Sequence, residues 1–524
     1  MFFWTSVALP GINNKCFFKM KRRKFIYQTS AGLGGLLPVI KQFKDIEISE
    51  GPFFSTGIKI GEVTGSSVII WLRLTGSRQP VSRQSPIPRV TYFDETTGDW
   101  HPQKYFKEKY KQDRPDREVK VVFPDGYDIT NIGGAAPGSN GEVRLLHKKM
   151  GASKWNYTDW VAVDEQADYS IHISLVNLEP GTEYEIEAEA KAIGNKAKSA
   201  SIKGRFTTSW NAEQPHDVQF MVTTCHEYND QDDPTGRGFK IYKHMQALHP
   251  DFLVHTGDVL YYDHVAKSLP LAKWSWQRMF GLANAVHFYR NTPCYFMKDD
   301  HDTWMNDCYP ESKNKFMGQF TFQQGVQLFK QQVPMSDKPY RTFRWGKALQ
   351  VWLMEVREYR SANAMQDGPQ KSIWGKAQME WFKRTFSESD ADCKILISPT
   401  PIVGPDRPQK KDNHANMGFA YEGKMIREFV ATHPNTFIIC GDRHWQYVSQ
   451  DKTTGLMEFS CGPASNEHAS GWNKEDVLPE HHYLNIVGGF LGVEVKPNEA
   501  RPEIIFTHYG VDGEKLYSKR INIQ

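Results

Sequence analysis

PDFLVHTGDVLYYD, residues Pro250–Asp263, is the stretch around which the 524-residue chain is organised. Asp251–Thr256 is a short apolar run that reads as a buried strand, Gly257 lets the chain turn, and Asp258 follows at the lip. Open α/β sheets bind ligands at the carboxyl ends of their strands, so a carboxylate delivered there sits where chemistry is expected. Alone, Gly-Asp after a strand is an ordinary turn. Working outward, three other stretches repeat the pattern. Cys225 closes the run Phe220–Thr224; Asp299–Asp302, DDHD, follows Pro293–Met297; and Asp442 and His444, in GDRHW, follow Thr436–Cys440. Tyr261 lies three residues beyond Asp258. Four strand ends that each discharge metal-ligand residue types point to a metal centre.

The composition excludes several classes. With 64 basic against 61 acidic residues, a formal charge of +3 and no basic block, the chain has no nucleic-acid-binding signature. Seven cysteines without CxxC spacing argue against a zinc ribbon and a thioredoxin-like centre. An aromatic content of 13% with 15 tryptophans suits an exported hydrolase and a carbohydrate binder equally. Met20–Ile26, MKRRKFI, precedes a weakly apolar run over Phe25–Ile40 and resembles a twin-arginine export signal. Residues 1–50 are therefore expected to be an extension plus signal, with the export machinery as a partner and a periplasmic or extracellular destination. No other stretch has about 18 uninterrupted apolar residues, so no stable membrane anchor is expected.

Residues 51–209 read as antiparallel β. Ser67–Leu74, SVIIWLRL, is strand-like, and Tyr169–Leu175 alternates. Leu178–Ile186, LEPGTEYEI, followed by Phe206-Thr207-Thr208, resembles the last strands of a fibronectin type III-like sandwich, with Tyr184 tucked back as a tyrosine corner. Such a module needs about 100 residues, so Gln79–Lys154 is read as a large insertion. After a linker at Ser209–Pro215, strands alternate with amphipathic helices. Helices are expected over Phe239–Leu248, Met317–Gln332, Trp374–Phe386 and Lys424–His433, and strands over Leu349–Glu355 and Lys394–Ser398. Residues 216–524 are thus an α/β domain with a largely buried sheet, its strand-rich tail adding antiparallel strands to an edge.

The order Cys225, GDxxY at Gly257–Tyr261, DDHD at Asp299–Asp302 and GDxH at Gly441–His444 resembles the PhoD-like alkaline phosphatases of the metallophosphoesterase superfamily. That resemblance implies an α/β fold with a metallophosphoesterase-type β-sheet core flanked by helices, behind an antiparallel β-sandwich. It implies Asp258 as the carboxylate bridging two metals, with Cys225, Tyr261 and His444 completing the first site. Thiolate, phenolate and carboxylate together suit trivalent iron. Asp300 and Asp442, with Asp258, make an all-oxygen second site suited to calcium, other divalent metals being alternatives. The lone histidine of the superfamily pattern is missing; Ile397–Pro401, ISPTP, stands in its place. Asp299 is expected to brace its turn, Asp302 to orient His301, and His226 to be bland; His414 sits in a polar loop near the pocket.

The expected activity is hydrolysis of a small phosphoester by a metal-held hydroxide. His301 stabilises charge or protonates the leaving alkoxide, and Arg357 clamps the phosphate. Two alternatives stand beside it: a phospholipase D-like phosphodiesterase with the same centre, and a non-catalytic exported carbohydrate- or surface-binding protein.

Overall fold

The first strands of the chain lead straight into the larger sheet. The computed structural model describes residues 51–497 and 502–523, so the expected export signal lies outside the described residues. Strands β1 (Ile58–Gly61) and β2 (Ser67–Arg73) form a hairpin. The chain then departs into a subdomain built from β3 (Arg89–Asp94), β4 (Asp99–His101), helix α1 (Gln103–Tyr110) and β5 (Val119–Val122). It returns as β6 (Glu142–Lys149), β7 (Asn156–Tyr157), β8 (Val161–Ala162), β9 (Ser170–Val176), β10 (Glu183–Lys191) and β11 (Ala200–Thr207). A β1-β2-β9 layer faces a β11-β10-β6-β7 layer across an apolar core. Along β10, Tyr184, Ile186, Ala188 and Ala190 point inward while Glu183, Glu185 and Glu187 point outward, the period of two that a half-buried strand requires.

The insertion is shorter than Gln79–Lys154. Strand β6 lies inside that span and pairs along its length with β10, because EVRLLHKK alternates and puts Val143 and Leu145 into the core. The true excursion ends before Glu142. It is not a loose appendage: Tyr92 stacks on Phe316 at 4.9 Å, and Phe106 is fully buried with them.

The α/β part begins with β12 (Val218–Thr223), α2 (Ile241–Ala247), β13 (Phe252–His255), α3 (Tyr262–Val265), α4 (Leu269–Phe280), α5 (Ala283–Tyr289) and β14 (Cys294–Phe296). It continues with α6 (Phe322–Gln332), β15 (Arg341–Trp345), β16 (Leu349–Leu353), α7 (Gly375–Glu388), β17 (Cys393–Ser398), α8 (Ala420–Ala431) and β18 (Thr436–Cys440). Strands β19 (Gln446–Gln450), β20 (Met457–Cys461), β21 (His481–Asn485), β22 (Phe490–Lys496), β23 (Glu503–Tyr509) and β24 (Lys515–Asn522) complete it. Helix α6 starts five residues later than the apolar pattern suggested. Thr321 and Gln324 close a capping box there, and Gly318, at φ 60°, ends the preceding turn.

Two sheets result. One runs β24-β23-β22-β12-β13-β14-β1-β2-β9, the other β15-β16-β17-β18-β20-β19-β21. The tail strands β22–β24 extend the first sheet antiparallel beside β12. The sandwich is therefore not set off by the Ser209–Pro215 stretch, since β1 lies parallel to β14 and the first sheet is continuous. Gly61 makes that junction possible: a Cβ there would meet Pro334 O and sit 2.8 Å from Cys294 O. No bulkier residue could bring the two strands together.

The sheets pack face to face between helical layers. Phe252, Val254, Val351, Leu353, Ile395, Ile397 and Ile439 fill the space between them. Their alternate neighbours Leu253, Trp352, Leu396 and Ile438 point the other way, toward α2–α6 on one side and α7–α8 on the other. Strands buried on both faces read as continuous apolar runs, and each such side chain contributes roughly 1.5–3 kcal/mol. Strands β12, β13 and β14 are mutually parallel, as are β16, β17, β18 and β20, so their carboxyl ends gather in two groups. The groups touch at Gly441, where a Cβ would stand 2.6 Å from Thr256 Oγ1 and 2.8 Å from Pro399 O.

Candidate metal centre

Three of the residues that follow these strand ends adopt a backbone that side chains resist. Cys225, Asp258 and Asp442 have φ of 52°, 53° and 59°. A left-handed residue costs of order a kilocalorie or more, and persists where surrounding structure enforces it, commonly at functional sites. Gly257, at φ 109°, permits the turn into Asp258, and its missing Cβ leaves room for Asp299, which would stand 2.7 Å away.

These turns bring Cys225, Asp258 and His444 into one cluster whose ligand atoms lie within 4.8 Å of one another. Cys225 Sγ is 3.5 Å from Asp258 Oδ2, and the Tyr261 hydroxyl is 3.4 Å from both Asp258 Oδ2 and His444 Nε2. The four residues expected at the first site therefore surround one point. His468, which the sequence reading passed over, joins them: its Nε2 lies 2.8 Å from the Tyr261 hydroxyl and its Nδ1 3.0 Å from Asp230. The available signal was positional, since His468 follows the end of β20 much as His444 follows β18.

The second group differs in detail from the expectation. Asp258 clusters with Asp300 and His301 on one side, and with Asp299 and Asp442 on the other. Asp299, read as a turn brace, is thus the carboxylate brought beside Asp442. Both oxygens of Asp300 accept backbone N–H groups, from His301 at 3.0 Å and Asp307 at 2.5 Å. Asp302 braces the turns instead, accepting from the amides of Val259 and Asp299 at 3.0 and 2.6 Å. The orienter of His301 is Asp263, whose Oδ1 is 2.9 Å from His301 Nδ1. Asp263 stood in the opening stretch and was not singled out, because only the fold of α3 turns it toward β14.

Arg357 is fully buried among the acids, with Nε donating to Asp299 Oδ1 at 2.6 Å and Nη2 near Asp300 and Asp412. Its Nη1 and Nη2 make no hydrogen bond among the described residues. Glu355 accepts the amides of Arg357 and Glu358 and pairs with Lys298, holding the loop after β16. His226 lies in a buried chain with His255 and Tyr242, and His414 is tied to Glu422 at 2.9 Å.

The electrostatics fit cations. Burial first, and then the neighbouring Asp300, Asp299 and Asp302 charges, pushes the Asp258 carboxyl well above its ordinary range. Burial does the same to the Cys225 thiol, with Asp258 adding to it, and to the Tyr261 phenol, with Cys225 and Asp258 adding. Thiolate and phenolate form here only opposite a strong positive charge. Burial, then His468 and Arg443, holds His444 neutral and so able to donate its lone pair. Burial raises Asp299 to about 6, whereas for Asp300 the opposing attractions of Arg357 and His301 prevail and hold it at about 2. Asp258 Oδ1 and Asp299 Oδ2 are buried without any hydrogen bond among the described residues. Orphaned acceptors among like charges are what a hard cation satisfies. The residues present therefore fit two metals: a mixed S, N and O set, and an oxygen-rich set sharing Asp258.

Comparison with known proteins agrees with this geometry. Residues 282–485 match the family model of PhoD-like phosphatases, a span that includes DDHD, GDRH and His468. Alkaline phosphatase D of Bacillus subtilis (strain 168) is 21% identical over 558 residues, covering 91% of this chain and 83% of that protein. A solved structure of PhoD superposes with a TM-score of 0.66 at 16% identity, covering 91% of each chain. The purple acid phosphatase PPD1 from yellow lupin (Lupinus luteus) seeds gives a TM-score of 0.55 at 12% identity, covering 87% of this chain and 79% of that one. At these identities the two structures show that the fold is shared with this chain. Residues 282–485 are thus similar to the PhoD-like phosphatases across DDHD and GDRH, and nearly the whole chain is similar to a curated alkaline phosphatase D.

Proposed function

We propose that the chain is an exported, metal-dependent hydrolase of small phosphoesters, with trivalent iron held by Cys225, Asp258, Tyr261 and His444. Calcium is the proposed second ion, held by Asp258, Asp300 and Asp442, with Asp299 a further candidate donor. The observation that carries this reading is the convergence of a thiol, a phenol, an imidazole and a carboxylate on one point, from turns whose backbone is held left-handed at Cys225 and Asp258. When bound, the metals supply an activated water and offset charge growing on the phosphoryl oxygens.

The remaining work falls to side chains. His301 has Nδ1 committed to Asp263, and its Nε2 has no hydrogen-bond partner among the described residues. That ring nitrogen is the candidate to meet the leaving oxygen or the charge beside it. The Nη atoms of Arg357, without hydrogen bonds among the described residues, are the candidate contacts to phosphoryl oxygens, while its Nε holds Asp299. No side-chain nucleophile is required. Export rests on Arg22 and Arg23 ahead of the apolar run. Among the described residues no helix is long and apolar enough to cross a membrane.

The test is elemental analysis with a visible spectrum, followed by a panel of mono- and diesters. Iron with a broad charge-transfer band, calcium, and hydrolysis lost on chelation are expected. A colourless active enzyme holding only zinc or magnesium overturns the iron assignment, and full activity in a chelated, metal-free protein overturns the metal mechanism. Faster turnover of diesters than monoesters favours the phosphodiesterase alternative.

A further inference from the structure

The excursion between β2 and β6 reaches the reacting groups through one side chain. Arg114 lies in the loop between α1 and β5, and its Nε donates to Asp263 Oδ2 at 2.6 Å. The other oxygen of Asp263 takes His301 Nδ1 at 2.9 Å. Asp263 is completely buried, whereas the Arg114 side chain is 22% exposed. The loop carrying Arg114 is tied down on both sides. Gln103 Nε2 of α1 donates to the Asp113 carbonyl at 2.6 Å, and Asp116 accepts the Lys315 amide at 2.7 Å. The aromatic anchor of Tyr92 on Phe316 holds the subdomain itself against the α/β core.

Resting on the phosphoesterase reading and on His301 acting at the leaving group, we propose that Arg114 is a positioning residue for His301, acting through Asp263. A buried carboxylate with one oxygen on an imidazole needs a partner for the other, or it turns to find one. Among the described residues, Asp263 Oδ2 has besides Arg114 only the Asn306 amide at 3.4 Å, a weak contact. Arg114 thus fixes the plane of the Asp263 carboxylate, and with it the plane of the imidazole. The imidazole is packed 4.3 Å from the Tyr261 ring, so a small rotation carries Nε2 away from the cluster. The subdomain inserted into the sandwich therefore takes part in the reaction without contributing an atom to the substrate site. Loss of such an orienting partner costs about 10- to 100-fold in activity.

The experiment uses the full chain, metal-loaded, with p-nitrophenyl phosphate and an alkyl phosphomonoester as substrates. In Arg114→Ala, kcat on the alkyl ester is expected to fall roughly tenfold or more, with a smaller fall on p-nitrophenyl phosphate, whose leaving group needs little protonation. KM and metal content should stay as in the parent, and Arg114→Lys should recover part of the loss. In a His301→Ala background, Arg114→Ala should cost nothing further. An equal loss in both backgrounds overturns the proposal, as does a rise in KM alone or an unchanged alkyl-ester rate. If Arg114→Ala does not fold, Arg114→Gln carries the same cycle with the same two outcomes. A parent protein that hydrolyses neither ester fails the functional reading instead, which separates the two failures.

Discussion

Two buried tyrosines, one in each half of the molecule, show how differently the halves are built. Tyr184 in the sandwich stacks on Phe206 at 5.4 Å, and its hydroxyl accepts a bond from the Glu179 amide at 2.9 Å. Among the described residues that hydroxyl has this one partner. Tyr261 at the sheet rim faces Asp258, His444 and His468 at once, and its one O–H hydrogen can be donated to only one of them. In the sandwich the Tyr184 hydroxyl is met by a neighbouring backbone amide. At the rim, Asp258 Oδ1 and Asp299 Oδ2 have no hydrogen-bond partner among the described residues, and both carboxylates sit beside further acids. Unpaired buried acceptors among like charges are what a cationic ligand would satisfy.

The contrast is open to direct attack, beginning with its most sensitive point. Asp258→Asn should cost on the order of a thousandfold or more in turnover, because several kcal/mol of Lewis-acid stabilisation disappear with the shared ligand. Elemental analysis should show both metals reduced; a fully metallated variant would remove Asp258 from the bridging role. His301→Ala should keep its metals yet lose about a hundredfold in kcat. Wild-type rates in that variant would show the imidazole to be idle.

The paired Tyr→Phe changes sharpen the comparison. Tyr261→Phe should bleach the visible band and lower iron occupancy while leaving the thermal midpoint of the metal-free protein unchanged or higher, since it removes a crowded hydroxyl. A metal-free protein clearly destabilised by this change would mean that the rim is satisfied without ions. Tyr184→Phe should do the reverse at the smallest scale. Activity and colour should persist, and stability should fall by about 1 kcal/mol, the net worth of one satisfied hydrogen bond. A drop in metal content on Tyr184→Phe would mean that the sandwich is coupled to the centre more tightly than β1 and β14 indicate.

Much of this was legible because its signals are local. An apolar run of five or six residues followed by Gly-Asp or Cys announces a buried strand and its lip, and Cys225, Asp258, Tyr261 and His444 do converge. What was not legible came from elements far apart in the chain. His468 lies 207 positions beyond Tyr261, and Arg114 lies 149 positions before Asp263. DDHD offers three aspartates of one chemical type within four residues. Which of them faces the cluster depends on how β14 seats against β13 and on where Arg357 arrives from the other sheet.

By itself, then, the sequence determined the strand ends, the ligand types and the alternation that buries each sheet on both faces, since all three follow from neighbours within a few residues. The tertiary structure alone decided that β6 belongs to the sandwich and that Gly61 fuses the sandwich to the main sheet. It alone decided that Asp299 rather than Asp300 lies beside Asp442, and that Asp263 rather than Asp302 holds His301. Those outcomes turn on which backbone can approach which, and on which buried charge finds its partner first. Both are properties of packed surfaces, and no local run of residues specifies them.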